Sequence, residues 1–311
     1  MYVIGVDLGG TNIDVGVVDE NHTIAAQAHT PTLAHRKPEE ILDDIARCAR
    51  EAAAGAGLEL SEIVALGIGS PGTCDAEKGE VLNAHNLGWH GVPVRAELER
   101  RLGLRVYLGN DADCAALGET VAGAARGCSD VLMVTLGTGI GGGIVAGGRV
   151  YAGHRSLGGE IGHMCIAMEG AECTCGQRGC WEAYASATAL IRLGEAAAAS
   201  RPDSRLSSMR PLDGLKIFTA ANEGDPAARG VVEGYIRGLG VGLVNMINVL
   251  YPEIVLLGGG ISRQGENLLG PLREYVASHF FVGIREVMPR IERASLGPAA
   301  GIIGAAALCR Q

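Results

Sequence analysis

Hydrophobic and polar positions first alternate in strand fashion. Tyr2 to Leu8 is an apolar run interrupted by Asp7, Gly9-Gly10-Thr11 makes a tight turn, and Ile13 to Val18 returns. The pattern predicts a β-hairpin. The period then lengthens. Pro38, Glu39 and Glu40 suit a helix start, Ile41, Ile45, Cys48 and Ala52 recur at helical spacing, and Gly55 suits a stop. Strand-like runs follow at Ile63–Ile68 and Arg105–Leu108, the second leading into Asn110-Asp111. From Val131 the opening pattern returns: a strand to Leu136, a glycine-rich turn over Gly137–Gly143, and a return strand over Ile144–Val150. Two such hairpins predict an α/β chain of two similar lobes facing each other across a cleft. The small lobe is expected at residues 1–112 plus 298–311 and the large one at 113–297.

Further along, Arg201–Leu215 is rich in Pro, Ser and Arg and reads as a surface loop. Asp225-Pro226 starts a helix with Gly230, Gly234, Gly238 and Gly242 at four-residue intervals. Each interior glycine costs roughly 1 kcal/mol relative to alanine, so the row predicts a backbone packed closely against it. A strand over Glu253–Leu257 ends in Gly258-Gly259-Gly260, and an Ala/Gly-rich helix follows.

Composition narrows the function. With 311 residues, 47% hydrophobic and 20% charged, the chain has the profile of a globular enzyme. A net charge of -9 without any Lys/Arg run argues against nucleic acid or an anionic membrane as partner and for a small molecule. No signal-like start and no apolar span near ~20 residues is present. The nine cysteines are odd in number and three crowd between Cys173 and Cys180, which fits reduced thiols in a cytoplasmic protein.

Three glycine clusters follow strands: Gly9-Gly10, Gly137-Thr138-Gly139 and Gly258-Gly259-Gly260. Such turns can bring bare N–H groups to a phosphate, or can be tight turns and nothing more. Gly137–Gly142 also fits G-x-G-x-x-G, but a dinucleotide site, and with it an NAD-dependent oxidoreductase, needs a helix next, where a strand is predicted. No Walker-type phosphate loop is present. Asp7-Leu8-Gly9-Gly10-Thr11-Asn12 resembles the first phosphate motif of the superfamily that joins sugar kinases to actin, with its ribonuclease H-like lobes, and Leu136-Gly137-Thr138-Gly139 resembles the second. The resemblance implies ATP held with Mg2+, and phosphate or adenosine contacts from Asp7, Gly9, Gly10, Thr11, Asn12, Thr138, Gly139, Gly258 and Gly259.

His163, Cys173, Cys175 and Cys180 follow H-x9-C-x-C-x4-C. Three thiolates and an imidazole suit tetrahedral zinc better than free thiols, a disulfide or an iron–sulfur cluster, and four protein ligands make a closed, structural site. Cys173 to Glu182 resembles the C-x-C-G-x-x-G-C-x-E signature of ROK proteins, and the glycine spacing from Leu136 to His163 follows that family as well. ROK repressors carry an N-terminal helix-turn-helix, for which a hairpin beginning at residue 2 leaves no room.

Asn110-Asp111 at a strand end can be a turn or a helix cap. It also resembles the family's N-D-A motif, which implies Asp111 as catalytic base and Asn110 as a sugar contact. The resemblance further implies sugar contacts from Asn86, Glu160, His163 and Glu182, with His163 also a zinc ligand. Trp89 and Cys114 read as packing residues. The implied activity is phosphorylation of a hexose at its 6-hydroxyl, glucose foremost and N-acetylmannosamine second, by a homodimer or homotetramer. The rival from another class is a sugar sensor without catalysis.

Overall fold

The computed structural model describes Met1–Gln311. It comprises two compact units, one of Met1–Met133, Gly143–Gly159 and Ser295–Gln311, the other of Val134–Gly142 and Glu160–Ala294.

In the first unit, β1 (Tyr2–Leu8) pairs antiparallel with β2 (Asn12–Val18), which pairs with β3 (Ile24–Pro31), while β4 (Ile63–Ser70) lies parallel to β1. A small antiparallel sheet of β5 (Thr73–Asp75), β6 (Glu80–Ala84) and β7 (Trp89–Val92) comes next, and β8 (Arg105–Asn110) then completes the first sheet in the order β3-β2-β1-β4-β8. Side chains alternate across a strand, and the two faces differ in kind. Ile4, Val6, Leu8, Ile13, Val15 and Val17 join a core with α1 (Pro38–Gly55) and α2 (Val94–Leu102). Helix α1 begins as its sequence predicts, with Pro38 in its first turn and the Glu40 carboxylate accepting the Lys37 amide at 3.1 Å. Trp89 is buried in the same core.

The opposite face presents Val3, Gly5, Asp7, Asp14, Gly16 and Val18. Here α9 (Ala299–Leu308) lies directly on the strands, because a Cβ on Gly5 or Gly67 would collide with the carbonyl of Ile302 or Ala305. Helix α3 (Asp111–Ala122) meets α9 just as closely: Gly118 abuts the Ala300 carbonyl and Gly304 abuts that of Cys114. This contact makes α3 part of the first unit, which therefore runs on through Met133 instead of stopping near residue 112.

The second five-stranded sheet has the order β11-β10-β9-β12-β13, from β9 (Val131–Leu136), β10 (Ile140–Ala146), β11 (Arg149–Val150), β12 (Ile254–Gly258) and β13 (Arg290–Arg293). The glycine turn is shorter than predicted, and the return strand starts at Ile140 rather than Ile144. Gly143 is a strand residue whose missing Cβ admits the Ala112 carbonyl, and the turn into β11 is made by Gly147 and Gly148 at φ 57° and 77°.

The second unit adds α4 (Glu182–Ala185), α5 (Ala187–Ser200), α6 (Gly214–Asn222), α7 (Pro226–Leu250) and α8 (Glu266–His279). The predicted loop at 201–215 contains a short helical turn over Arg205–Ser208. Asp225 caps α7, accepting the Ala228 amide at 2.8 Å. The glycine row of α7 is only half explained by close packing. Gly242 receives the Trp181 indole and Gly238 the Tyr184 backbone, but a Cβ on Gly230 or Gly234 would meet nothing within 4 Å. No helix is long and apolar enough to cross a membrane.

Candidate active site

An acidic corner follows from the strand alternation of the first unit. Asp7 on β1 is paired across the strands with Asp14 on β2, both on the α9 face, and Gly301 of α9 leaves space for the Asp7 carboxylate. Burial pushes the Asp7 carboxyl up to about 7, and the negative charges of Asp111 and Asp14 push the same way. Carboxylates that disfavour each other's charge at close quarters are what a divalent cation relieves. Asp14 was not singled out from the sequence. Its signal is an acid inside an otherwise apolar run, three residues past the Gly9-Gly10-Thr11 turn.

The turn from β1 to β2 is braced from outside. The Gly9 amide donates to the Asn12 carbonyl at 2.8 Å, the buried Thr32 donates its hydroxyl to the Gly9 carbonyl at 2.7 Å, and the Thr32 amide donates to the Thr11 carbonyl at 2.8 Å. The Thr11 and Asn12 side chains are left exposed. Asn86 lies beside this turn, its Nδ2 placed 3.1 Å from where a Cβ on Gly10 would stand.

Asn110 behaves as a helix cap. Its Oδ1 accepts the amides of Ala112 at 2.8 Å and Asp113 at 3.3 Å, and its Nδ2 donates to the Gly72 carbonyl at 3.1 Å. Capping sets Asp111 at the first position of α3, where the helix dipole favours a carboxylate. Gly72, at φ 82° and crowded against Asn83 and Ala84, ties this cap to β6. It was missed in the sequence, where Ser70-Pro71-Gly72 reads as an ordinary turn. Cys114 is fully buried, its thiol pushed well up by burial, which suits packing and not nucleophilic chemistry.

The second unit gathers the remaining residues. The turn at Gly137–Gly139 is closed by the Gly137 amide on the Gly139 carbonyl at 3.1 Å, and Thr188 donates to the Thr138 carbonyl at 2.7 Å. Gly259, at φ 80°, packs against the Leu136 backbone, so the Gly258-Gly259 turn and the Gly137 turn lie side by side. Glu182 accepts the Ile140 amide at 2.9 Å through Oε2, while its Oε1 lies 3.8 Å from the Cys173 sulfur.

Ligand atoms of His163, Cys173, Cys175 and Cys180 all lie within 4.8 Å of one another. The Cys175 and Cys180 sulfurs are 3.7 Å apart, and Cys173 Sγ is 3.7 Å from His163 Nδ1. A tetrahedral ion at ordinary zinc–ligand lengths spreads such ligands by roughly 3.5–3.8 Å, so the donor set fits one. The loop is fastened to α7 by Trp181, whose indole donates to the Gly238 carbonyl at 3.0 Å, and braced internally by Tyr184, whose hydroxyl accepts the Ala171 amide at 2.7 Å. Glu160 is exposed beside it, its carbonyl accepting the His163 amide at 3.1 Å.

Glycine turns after β1 and β9, an acidic corner and a late Gly-Gly turn define an α/β protein of the actin-like ATPase fold. The profile described as ROK family matches residues 3–311, and the chain belongs to that family. It is 40% identical to a glucokinase of Thermotoga maritima, over 100% of this chain and 98% of the relative. Among solved structures it resembles a ROK family glucokinase from Streptomyces griseus in complex with glucose and AMPPNP, with a TM-score of 0.82, 36% identity and full coverage of both chains. It also resembles a ROK hexokinase from Thermus thermophilus, with a TM-score of 0.82, 37% identity and coverage of 99% of this chain and 97% of that one.

Proposed function

We propose that this chain transfers the γ-phosphoryl group of ATP to the 6-hydroxyl of glucose. The reading is carried by Asp111, a carboxylate set by a helix cap close enough to Asp7 to raise its proton affinity, in a chain similar over its full length to glucokinases. Phosphoryl transfer asks mainly for positioning and charge neutralisation, with a base at the attacking hydroxyl. Asp111 is that base. Gly9, Gly10, Thr11, Asn12, Thr138 and Gly139 contact the phosphates, and Gly258 and Gly259 border the adenosine. Mg2+, held by Asp7 with Asp14 and Asp111 directly or through water, would supply the neutralising charge.

Asn86, Asn110, Glu160, His163 and Glu182 bind the sugar hydroxyls. His163 turns Nδ1 to the thiols, which leaves Nε2 for a hydroxyl. The four-ligand cluster is a zinc site; closed to water, it holds the loop in shape and does no chemistry. A coupled ADP-release assay tests the reading. Sugar-dependent ADP is expected, with kcat/KM for glucose above that for N-acetylmannosamine. No ADP with any hexose would leave a sugar-binding regulator, and a tenfold advantage for N-acetylmannosamine, about 1.4 kcal/mol of transition-state preference, would move the substrate assignment alone.

A further inference from the structure

A fifth cysteine stands beside the four-ligand cluster. Cys165 lies outside the H-x9-C-x-C-x4-C set and is exposed, whereas Cys180 is fully buried. The two face each other as partners in an antiparallel bridge. Its hydrogen bonds fall on either side of the pair: the Ile166 amide donates to the Gly179 carbonyl at 2.8 Å, and the Trp181 amide donates to the Met164 carbonyl at 2.8 Å. Cys165 and Cys180 are therefore a non-hydrogen-bonded pair, the kind whose Cα atoms approach to roughly 4.5 Å with both side chains on one face of the ribbon. A disulfide closes across Cα separations of about 4.4–6.8 Å, so this pairing needs no movement of the backbone. The Cys165 thiol lies 3.8 Å from the Arg178 carbonyl and 3.1 Å from where a Cβ on Gly179 would stand. The missing side chain of Gly179 thus leaves the sulfur its room next to Cys180.

We infer that a hydroperoxide joins Cys165 to Cys180 in a disulfide, which takes Cys180 out of the donor set and loosens the loop that carries His163 and Glu182. The disulfide follows from the bridge geometry; its effect on metal and sugar rests on the function proposed above. Cys173, Cys175 and Cys180 are engaged as ligands in that reading, and Cys165 is the sulfur of this loop left over, in reach of solvent. An accessible thiol poised beside a resolving cysteine is the arrangement that peroxide oxidises reversibly. Hydrogen peroxide converts the Cys165 thiol to a sulfenic acid and is itself reduced to water. The Cys180 sulfur then attacks the sulfenic sulfur with its electron pair; the S–S bond forms as the S–O bond breaks, and the departing hydroxide takes up a proton to give a second water. A metal held by four ligands is left with three, and because its binding holds the loop in shape, the loop slackens with its loss.

Peptide mapping of the full chain tests the inference. After exposure to hydrogen peroxide and alkylation, unreduced digestion with trypsin and a glutamate-specific protease puts Cys165 on 161–169, Cys173 and Cys175 on 173–178, and Cys180 on 179–182. The expected product is 161–169 joined to 179–182, separated again by dithiothreitol. A chromophoric chelator should read the release of about one zinc per chain as the disulfide forms, and calorimetric binding of glucose should weaken in step. Cys165→Ser should give no joined peptide, keep its zinc through the same exposure, and match the kcat/KM of the unaltered chain before oxidation. Protein that holds no zinc at the outset would defeat the zinc reading alone, since the peptide map still decides the disulfide. A product joining 173–178 to 179–182 in place of the expected one, zinc release from Cys165→Ser equal to that of the unaltered chain, or a Cys165–Cys180 disulfide that leaves zinc and glucose binding intact would each overturn the inference.

Discussion

Glu182 closes over Gly139: its carboxylate accepts the neighbouring Ile140 amide at 2.9 Å and fills the space that a side chain on Gly139 would take. One carboxylate thus touches both the second glycine turn and, through Oε1, the cysteine loop. Gly139→Ala should dislodge it. Because the obstructed atoms are the mobile end of a side chain, stability should fall by only about 1 kcal/mol, the worth of one hydrogen bond. The KM for glucose should rise several-fold. Steady-state kinetics beside a urea titration separates the two, and an unchanged KM would detach Glu182 from the sugar.

Asp111→Asn keeps the shape of the α3 cap and removes the carboxylate proposed as the base. Turnover is expected to fall by about 10²–10⁴-fold with little change in glucose binding. Rapid-quench measurement of product and calorimetric titration of sugar check the two halves; near-normal turnover would refute the role.

Protein purified without added metal should carry about one zinc per chain by elemental analysis. Cys175→Ser is expected to weaken retention of the metal by at least about tenfold and to raise the KM for sugar more than it lowers kcat, since the loop holds Glu182 and His163 in place. Full activity in metal-free protein would remove zinc from the account.

The two halves of the α7 glycine row should respond in opposite senses. Gly242→Ala drives a methyl into the Trp181 indole and should cost about 1–3 kcal/mol. At Gly234 the same change meets nothing and should stabilise by up to about 1 kcal/mol through helix propensity. Chemical denaturation of both variants decides it.

Arg155 donates to the buried Asp75 carboxylate, and this pairing, aided by the Lys78 amide against the effect of burial, holds Asp75 below the usual carboxylate range. A lowered folded value means that the unfolded chain takes up the proton first. The stability contributed by Asp75 is therefore complete above about pH 4 and is lost as pH falls through the lowered value. The melting temperature of the unaltered protein should exceed that of Asp75→Asn near neutrality, with the gap closing in acid. A gap constant with pH would contradict the pairing.

Local signals in the sequence were read well where one residue type has one dominant use. The Gly9-Gly10 turn between two apolar runs, the start of α1 at Pro38 and the Asp225-Pro226 cap each emerge at the predicted place. Glycine was harder to read, because turn, strand and helix-contact glycines look alike along the chain. Gly141–Gly143 lie in β10, where Gly143 admits the Ala112 carbonyl of α3, and nothing near Gly143 in sequence announces Ala112. Gly230 and Gly234 resemble Gly238 and Gly242 but lack a neighbour. Asp14 and Gly72 escaped notice because their importance comes from Asp7 and Asn110, brought close by β pairing and by the cap. The gathering of His163, Cys173, Cys175 and Cys180 was legible because all four lie within one short stretch of chain and need no distant partner to meet.

The contact of α9 with Gly5 and Gly67 also has a bearing on biosynthesis. The strands at residues 2–8 and 63–70 leave the ribosome early, yet the helix they are carved to receive begins at residue 299. Until that helix is made, the face of the first sheet that carries Gly5 and Gly67 lacks its packing partner, so the first strands wait for a segment more than two hundred residues downstream before they can settle. Ribosomes that stall shortly before residue 299 should therefore release chains that are recognised as unfinished by chaperones and proteases, even though both early strands and α1 are already present.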